Sequence, residues 1–326
     1  MRVYEIREPK GVESLTGTER NMPSPGHGEV LVKMRAASLN YRDLAVARGA
    51  YGRGVPYPLI PLSDGAGEVV ELGPGTSRWS TGHRVAGIFM QGWVSGRIDT
   101  EKASTAMGGA IDGVLAEYRV FPEQGLVRIP DHLSFEEGAA LPCAGVTAWH
   151  ALDGIQAGET VLVQGTGGVS IFALQFAKMA GARVIATSSS DEKLERVRSL
   201  GADVVVNYKT TPDWEKPANG VDRIIEVGGA GTLGKSLRAV RMGGTVVLIG
   251  ILTGKGEVDP QPVLMKSIRL QGIYVGSREM FEDMNRAIAQ SGMKPVIDRV
   301  FAFEEAGAAY RHLESGAHFG KVIVKI

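Results

Sequence analysis

The spacing of apolar and polar positions changes twice along this chain of 326 residues. In the first third, short runs such as 28–40 and 63–75 alternate apolar with polar side chains, and turns rich in glycine and proline separate them. Alternation with a period of two is typical of β-strands that bury one face. The pattern predicts an irregular all-β domain at the start of the chain. Residues 91–112 are rich in glycine and lack this pattern, which predicts a mobile surface loop.

The middle of the chain has helical spacing from Phe135 and then, from Thr160, strand-sized apolar runs separated by helical patterns. The runs lie at residues 161–164, 182–190, 203–208, 221–229, 243–250 and 267–276. This alternation indicates βαβ units around a parallel sheet that is buried on both faces. The final residues, "FGKVIVKI", predict a strand that returns to the first domain. We therefore predict one domain from residues 1–122 and 268–326, and a second from residues 123–267.

Length and charge narrow the class of protein. A chain of 326 residues exceeds the size at which one hydrophobic core keeps growing, which also favours two domains. Lys plus Arg and Asp plus Glu both number 36, and this balance argues against a surface for nucleic acid or for anionic membranes. The first residues are charged and no apolar run approaches the roughly 20 residues of a membrane helix. We expect a cytoplasmic protein that acts on a small molecule.

The stretch "VLVQGTGGVS", residues 161–170, has the order strand, tight turn, helix. Glycines in such a turn allow the backbone to approach a pyrophosphate closely, and the free N–H groups at the helix start attract the anion. Ser170 stands where the third glycine of the G-x-G-x-x-G pattern is expected. Because the surrounding segments predict βαβ units, we interpret the turn as a phosphate cradle. Its residues are Gly165, Thr166, Gly167, Gly168 and Val169.

Several segments together resemble the medium-chain dehydrogenase/reductase superfamily, which contains zinc alcohol dehydrogenases and zinc-free quinone and enoyl reductases. They are "GEVLVKMRAASLNYRDL", "PLIPLSDGAGEVVELGPG", "LPCAGVTAWHAL", the glycine-turn segment and "HFGKVIVKI". The resemblance implies an α/β protein with a GroES-like irregular β-barrel domain and a Rossmann-type, doubly wound parallel-sheet domain. It also implies an oxidoreductase that uses NAD(P).

The resemblance also identifies the positions of the family's catalytic zinc ligands. Asn40 and Ser63 stand where the zinc enzymes have a cysteine and a histidine, and only Cys143 keeps a ligand type. Asp64 adds one carboxylate, but Zn²⁺ needs thiolate, imidazole or carboxylate ligands, usually four in all with any bound water. We therefore expect no zinc, and a place in the zinc-free quinone or enoyl reductase branch. Ser63, Asp64 and Cys143 are then expected to line the substrate cleft, with Cys143 as a small apolar residue or a cleft-lining thiol.

The resemblance gives two further sets of cofactor contacts. Ser188 stands where NAD-specific relatives have an acidic residue for the ribose 2′-hydroxyl, while Ser189 and Lys193 follow with donors and a positive charge. This favours NADP(H), although NAD(H) stays open because the serines also suit a helix cap with a solvated lysine. The nicotinamide end is expected at Thr147, Gly228, Ile249 and Gly250.

Three functions stay open at this stage. The first is an NAD(P)H-dependent, metal-free reductase of quinones or α,β-unsaturated carbonyls, including enoyl thioesters. Its candidate catalytic residues are Asn40 as an oxyanion donor and Tyr41 or Tyr51 as a proton donor. The alternatives are an alcohol dehydrogenase for small alcohols or ketones and a non-enzymatic cofactor-binding protein. The resemblance also implies a homodimer paired through an edge strand of the cofactor domain.

Overall fold

The computed structural model describes residues 1–52 and 54–326. They form two compact units, the first from residues 1–146 and 275–326 and the second from residues 147–274. These boundaries fall later in the chain than those predicted from the sequence, 122/123 and 267/268. The helical segment that begins at Phe135 packs on strands of the first unit, although its pattern resembles that of the second. Among the described residues, no helix is both long and apolar enough to cross a membrane.

Strands and helices are numbered along the chain. The strands are β1 (Arg2–Ile6), β2 (Leu15–Glu19), β3 (Glu29–Leu39), β4 (Asp64–Leu72), β5 (Arg84–Gly87), β6 (Tyr118–Pro122), β7 (Leu126–Arg128), β8 (Thr160–Gln164), β9 (Arg183–Ser188), β10 (Val204–Asn207), β11 (Val221–Glu226), β12 (Val240–Leu248), β13 (Arg269–Gly272), β14 (Ile297–Ala302) and β15 (Lys321–Lys325). The α-helices are α1 (Tyr41–Ala47), α2 (Thr100–Ala103), α3 (Phe135–Ala139), α4 (Val146–Ala151), α5 (Gly168–Met179), α6 (Asp191–Ser199), α7 (Ala230–Ala239), α8 (Gln261–Met265), α9 (Arg278–Ser291) and α10 (Ala306–Glu314).

The first unit is built on a long, mainly antiparallel sheet with the strand order β14-β15-β3-β4-β5-β7, and β6 also pairs with β3. β3 is its central strand, and its register with β4 shifts twice, which bends the sheet. Apolar side chains from β3, β4 and α10 form one core around the buried Phe121 and Tyr310. The GroES-like fold predicted for this part of the chain is confirmed.

The last strand returns to the first unit, as the sequence predicted. β15 pairs antiparallel with β3, so that Val322 lies opposite Leu39. This pairing brings the start of β15 beside the point where β3 ends and α1 begins. The candidate catalytic Asn40 lies at that point.

The glycine-rich stretch at residues 91–112 is only partly a surface loop. Trp93, Ala106 and Met107 are buried, and α2 lies between them. The prediction of a mobile surface loop is therefore wrong for these residues. Their apolar side chains are spaced too irregularly to match a helix or strand period, but they still contribute to the interior.

The second unit is a parallel six-stranded sheet with the order β10-β9-β8-β11-β12-β13. Relabelled within this unit, the order is 3-2-1-4-5-6, which is that of the Rossmann dinucleotide-binding fold. β8 and β11 lie side by side where the order reverses, and ligands of such sheets bind beyond the carboxyl ends of the strands at this point. The glycine turn follows β8 directly. The predicted Rossmann-type sheet is confirmed.

Candidate active site

Asn40 joins the end of β3 to the start of α1. Its backbone N–H donates to Oδ2 of Asp43 at 2.7 Å, which satisfies one of the donors left free at a helix start. Asp43 is fully buried, and desolvation raises the pKa of its carboxyl to about 6 despite the nearby Arg42 guanidinium. The helix start thus fixes the Asn40 backbone at the edge of a buried polar cluster.

Lys321, at the start of β15, contacts the side chain of Asn40. Its ammonium donates to the Asn40 Oδ1 at 2.6 Å and to the Leu39 carbonyl at 2.7 Å, and it lies 3.9 Å from Oδ2 of Asp64. Only 3% of this lysine is exposed. Sequence reasoning had no grounds to select it, because in "FGKVIVKI" it looks like any polar residue of an alternating strand.

Asp64 links the remaining predicted residues. Its Oδ1 accepts from the Ser63 hydroxyl at 2.6 Å, and its Oδ2 accepts from the Cys143 backbone N–H at 3.0 Å. Burial raises the pKa of the Asp64 carboxyl, and the ammonium of Lys321 opposes this shift. Burial also raises the pKa of the Cys143 thiol far above its usual range, so that the thiol is protonated. The structure therefore brings Asn40, Ser63, Asp64 and Cys143 into one cluster.

The two candidate tyrosines lie in different surroundings. Tyr41 is the first residue of α1 and is 50% exposed. Tyr51 is half-buried, and the Arg42 guanidinium lies over its ring, 4.4 Å from the centroid. The Arg42 guanidinium also lies 3.4 Å from Oδ1 of Asp43, so Tyr51 belongs to the polar cluster.

A zinc ion does not fit this donor set. Asn40 presents a neutral carboxamide that already accepts from an ammonium, and the Ser63 hydroxyl donates to Asp64. Of the three positions only Cys143 keeps a ligand type, and its thiol would have to lose its proton to bind zinc. Among the residues that the structure describes, no three His, Cys, Asp or Glu side chains are placed to hold a metal ion.

In the second unit, the glycine turn has the geometry of a phosphate cradle. Gly165 has φ +74°, which a side chain would strain, and its N–H donates to the Thr187 carbonyl at 2.8 Å. Gly167 caps α5, a helix of 12 residues whose free N–H groups point out of its start. Ser170 donates from its hydroxyl to the Gln164 carbonyl at 2.6 Å. This bond explains how serine replaces the third glycine, since the side chain is buried against the end of β8.

The end of β9 is built from serines. The Ser188 hydroxyl is buried and accepts from the Ser190 N–H at 3.3 Å, while the Ser190 hydroxyl accepts from the Lys193 N–H and caps α6. The nearby Asp191 carboxylate accepts from the Asn207 amide at 2.7 Å. The helix-cap role is thus fulfilled by Ser190. Ser188 and Ser189 lie before the cap, at the point where the ribose is expected.

Glu226, the last residue of β11, was missed by sequence reasoning. This fully buried carboxylate accepts from the N–H groups of Gly228 and Gly229 at 2.8 and 3.0 Å and from the Thr232 hydroxyl at 2.5 Å. Its second oxygen accepts from the Gln164 amide at 2.9 Å and from the Ser236 hydroxyl. A charged residue at the end of an apolar strand, directly before "VGG", was the signal that could have identified it.

The loops after β11 and β12 are bound to each other. The Thr253 hydroxyl donates to the Gly228 carbonyl at 2.8 Å, and a Cβ on Gly250 would come within 2.1 Å of the Val227 carbonyl oxygen. The Ile249 N–H donates to the Glu226 carbonyl at 2.9 Å. Gly228, Ile249 and Gly250 are therefore brought together at the carboxyl edge of the sheet. Thr147 is buried at the start of α4.

Comparisons with known proteins agree with both units. A family model described as "Alcohol dehydrogenase GroES-like domain" matches residues 26–131, and one described as "Zinc-binding dehydrogenase" matches residues 168–290. A zinc-type alcohol dehydrogenase-like protein of Schizosaccharomyces pombe is 43% identical, over 98% of this chain and 97% of its own. An acryloyl-coenzyme A reductase of Metallosphaera sedula is 30% identical, over 98% and 96%. The crystal structure of a putative alcohol dehydrogenase from Sinorhizobium meliloti 1021 is 40% identical, with a TM-score of 0.93, over 100% and 98%.

Proposed function

This chain belongs to the medium-chain dehydrogenase/reductase superfamily and is an NAD(P)-dependent oxidoreductase, and we propose that it reduces a conjugated C=C bond or a quinone without a metal ion. The single observation that carries the proposal is the donor set in the first unit. At the three expected zinc positions it offers a carboxamide, a hydroxyl and a thiol, so at most one of the three can supply an anionic ligand.

The chemistry follows from the shortage of zinc ligands at these three positions. Interconversion of an alcohol and a ketone depends on polarising the oxygen, which zinc does as a Lewis acid. A conjugated C=C bond is less demanding, because hydride adds to the β-carbon and the resulting enolate oxygen needs only hydrogen-bond donors. The α-carbon then takes a proton. When bound, the reduced nicotinamide supplies the hydride, with its two electrons.

Each part of the proposed reaction has residues of this chain assigned to it. The glycine turn at residues 165–169 holds the pyrophosphate, and the loops at Gly228 and Gly250 hold the nicotinamide end. The Asn40 amide donates to the substrate oxygen. Tyr51 assists protonation, and Tyr41 is the second candidate. Tyr51 is preferred because its ring lies within the buried cluster beside Arg42, where bulk water competes less for its hydroxyl.

To test the proposal, the oxidation of NADPH is measured with quinones, enones and enoyl thioesters as acceptors. In parallel, the oxidation of simple alcohols is measured with NADP⁺. We expect turnover with at least one conjugated acceptor that exceeds the best rate of alcohol oxidation. Alcohols oxidised faster than any conjugated acceptor is reduced would refute the proposal.

The site assignment is tested on the best acceptor. Replacing Asn40 by alanine removes one oxyanion donor and should lower kcat about a hundredfold or more. Tyr51→Phe should lower kcat more than Tyr41→Phe does, and Tyr118→Phe on β6 serves as the matched control. Full activity in Asn40→Ala and in both tyrosine variants would contradict the assigned roles.

A second candidate function is alcohol dehydrogenation. It is favoured by the names of the relatives, since the proteins 43% and 40% identical to this chain are described as alcohol dehydrogenases or as similar to them. The acryloyl-coenzyme A reductase, whose name denotes reduction of a conjugated thioester, is less similar at 30%. The alcohol arm of the assay decides between the two functions.

A further inference from the structure

Lys321 determines how the Asn40 side chain is oriented. An ammonium has hydrogen atoms to donate and no lone pair to accept with, so a carboxamide that contacts it must present its oxygen. The 2.6 Å contact from the Lys321 Nζ therefore fixes the Asn40 Oδ1 on the lysine side. The Nδ2 amino group must face the opposite way, so the two possible flips of the amide are not equivalent here.

The Nδ2 group of Asn40 is then a buried donor with two N–H groups. A hydrogen bond between Asn40 and Asp64 helps to lower the pKa of that carboxyl, but its geometry is poor, and no described residue accepts a well-formed hydrogen bond from Nδ2. At least one N–H group therefore has no protein acceptor in the part of the chain that the structure describes. Buried donors are nearly always satisfied, and an exception points to an acceptor that the protein does not supply. A carbonyl oxygen of a substrate is such an acceptor, and because Nδ2 is closed to solvent in this structure, the oxygen reaches it only when neighbouring side chains move.

We propose that Lys321 is a positioning residue that holds the Asn40 amide with its N–H donors directed at the substrate oxygen. The proposal rests on the proposed role of Asn40. The ammonium is itself held by the Leu39 carbonyl at 2.7 Å and by Asp64 at 3.9 Å, so it is fixed before substrate arrives. A donor fixed in advance stabilises a developing oxyanion without reorganisation.

A double-mutant cycle between Lys321→Met and Asn40→Ala tests this coupling. In the wild-type background, Lys321→Met should lower kcat at least tenfold, with little change in the dissociation constant for NADPH. In the Asn40→Ala background it should have almost no further effect, because the group that it positions is gone. Equal fold losses in both backgrounds would overturn the proposal.

Two further variants separate positioning from folding. Lys321→Gln keeps a donor for the Leu39 carbonyl, but its carboxamide can either donate or accept and no longer imposes one orientation on Asn40. It should lower kcat when activity is measured well below its melting temperature, which is itself expected to fall because Asp64 loses its paired cation. Lys325→Met, on the same strand and exposed, is the matched control and should retain full activity. A Lys321→Gln enzyme with full activity would contradict the proposal.

The cycle is measured on whichever substrate class the enzyme turns over fastest, including alcohols, so failure of the proposed function does not prevent it. An NMR measurement needs no turnover at all. The Asn40 side-chain N–H signals, assigned by their loss in Asn40→Ala, should exchange with solvent at least tenfold faster in Lys321→Met. Unchanged exchange would show that Lys321 does not hold the amide, whatever the substrate.

Discussion

Glu226 provides the most direct test of how the cofactor loops are held. The carboxylate accepts from five donors, but these donors differ in what they can do when it is removed. The N–H groups of Gly228 and Gly229 belong to the backbone and cannot turn away. The Ser236 hydroxyl can rotate, and the Gln164 amide can flip because its oxygen has no hydrogen-bond partner among the described residues.

The magnitude follows from this difference. Glu226→Ala leaves two buried backbone donors unpaired at about 1–3 kcal/mol each, so we expect a loss of about 4 kcal/mol in the free energy of unfolding. Glu226→Gln keeps an oxygen for both backbone donors and requires only the Gln164 amide and the Ser236 hydroxyl to adjust, so we expect about 1 kcal/mol. For a chain of 326 residues that unfolds as one unit, these losses correspond to about 6 °C and about 1.5 °C in melting temperature.

Thermal denaturation and fluorescence titration with NADPH measure both consequences, with Glu192→Ala and Glu192→Gln on the exposed face of α6 as matched controls. Glu226→Ala should also weaken NADPH binding about tenfold or more, because the Gly228 loop loses its anchor. If the glutamine variant is as unstable as the alanine variant, the negative charge contributes more to stability than the pairing of the backbone donors does. If the alanine variant is stable and binds NADPH normally, the reasoning is wrong.

Three further predictions concern metal, cofactor and pH. Elemental analysis after dialysis without chelator should find no stoichiometric zinc, and one zinc per chain would show that the cluster around Asp64 does bind the metal. NADPH should bind more tightly than NADH, and Ser188→Asp should reverse the preference because its carboxylate repels a 2′-phosphate; titration of both cofactors decides this. Asp43 has a folded-state pKa of about 6 against the ordinary 3.8, so its contribution to stability falls by about 2 kcal/mol as pH rises from 4 to 6. Denaturant unfolding should show Asp43→Asn gaining stability relative to wild type by that amount over this interval, and parallel pH profiles would refute it.

The second unit was largely predictable because its signals are local. Each predicted strand between Thr160 and Gly276 has a counterpart in the sheet, and the glycine turn lies at the reversal of strand order. The largest error at a strand start concerns β12, which begins at Val240 although the pattern suggested residue 243. The predicted run began at Gly243. This glycine has φ +69° within the strand, an irregularity that the apolar pattern cannot reveal.

The candidate site was predictable only where the family positions marked it. Asn40, Ser63 and Cys143 were identified in this way, and the structure brings them together around Asp64. Lys321 lies 281 positions from Asn40 in the chain, and the two residues meet only because β15 pairs with β3. No local pattern encodes such a long-range pairing, so the group that orients Asn40 emerged only from the fold.

The charges of the cluster explain how it can be stable although residues 40 and 63 are not zinc ligands. Two buried carboxylates, Asp43 and Asp64, face two cations, Arg42 and Lys321, so the formal charges of these four residues cancel without a metal. Buried charges are tolerated when they are paired, and a dication added to this balanced group would have at most one thiolate, from Cys143, to offset it. The neutral residues at positions 40 and 63 therefore fit a site whose only fixed cations are its own side chains. Under the proposed function, oriented N–H donors would stabilise the substrate oxygen, which suits an enolate better than an alkoxide because the enolate charge is already delocalised.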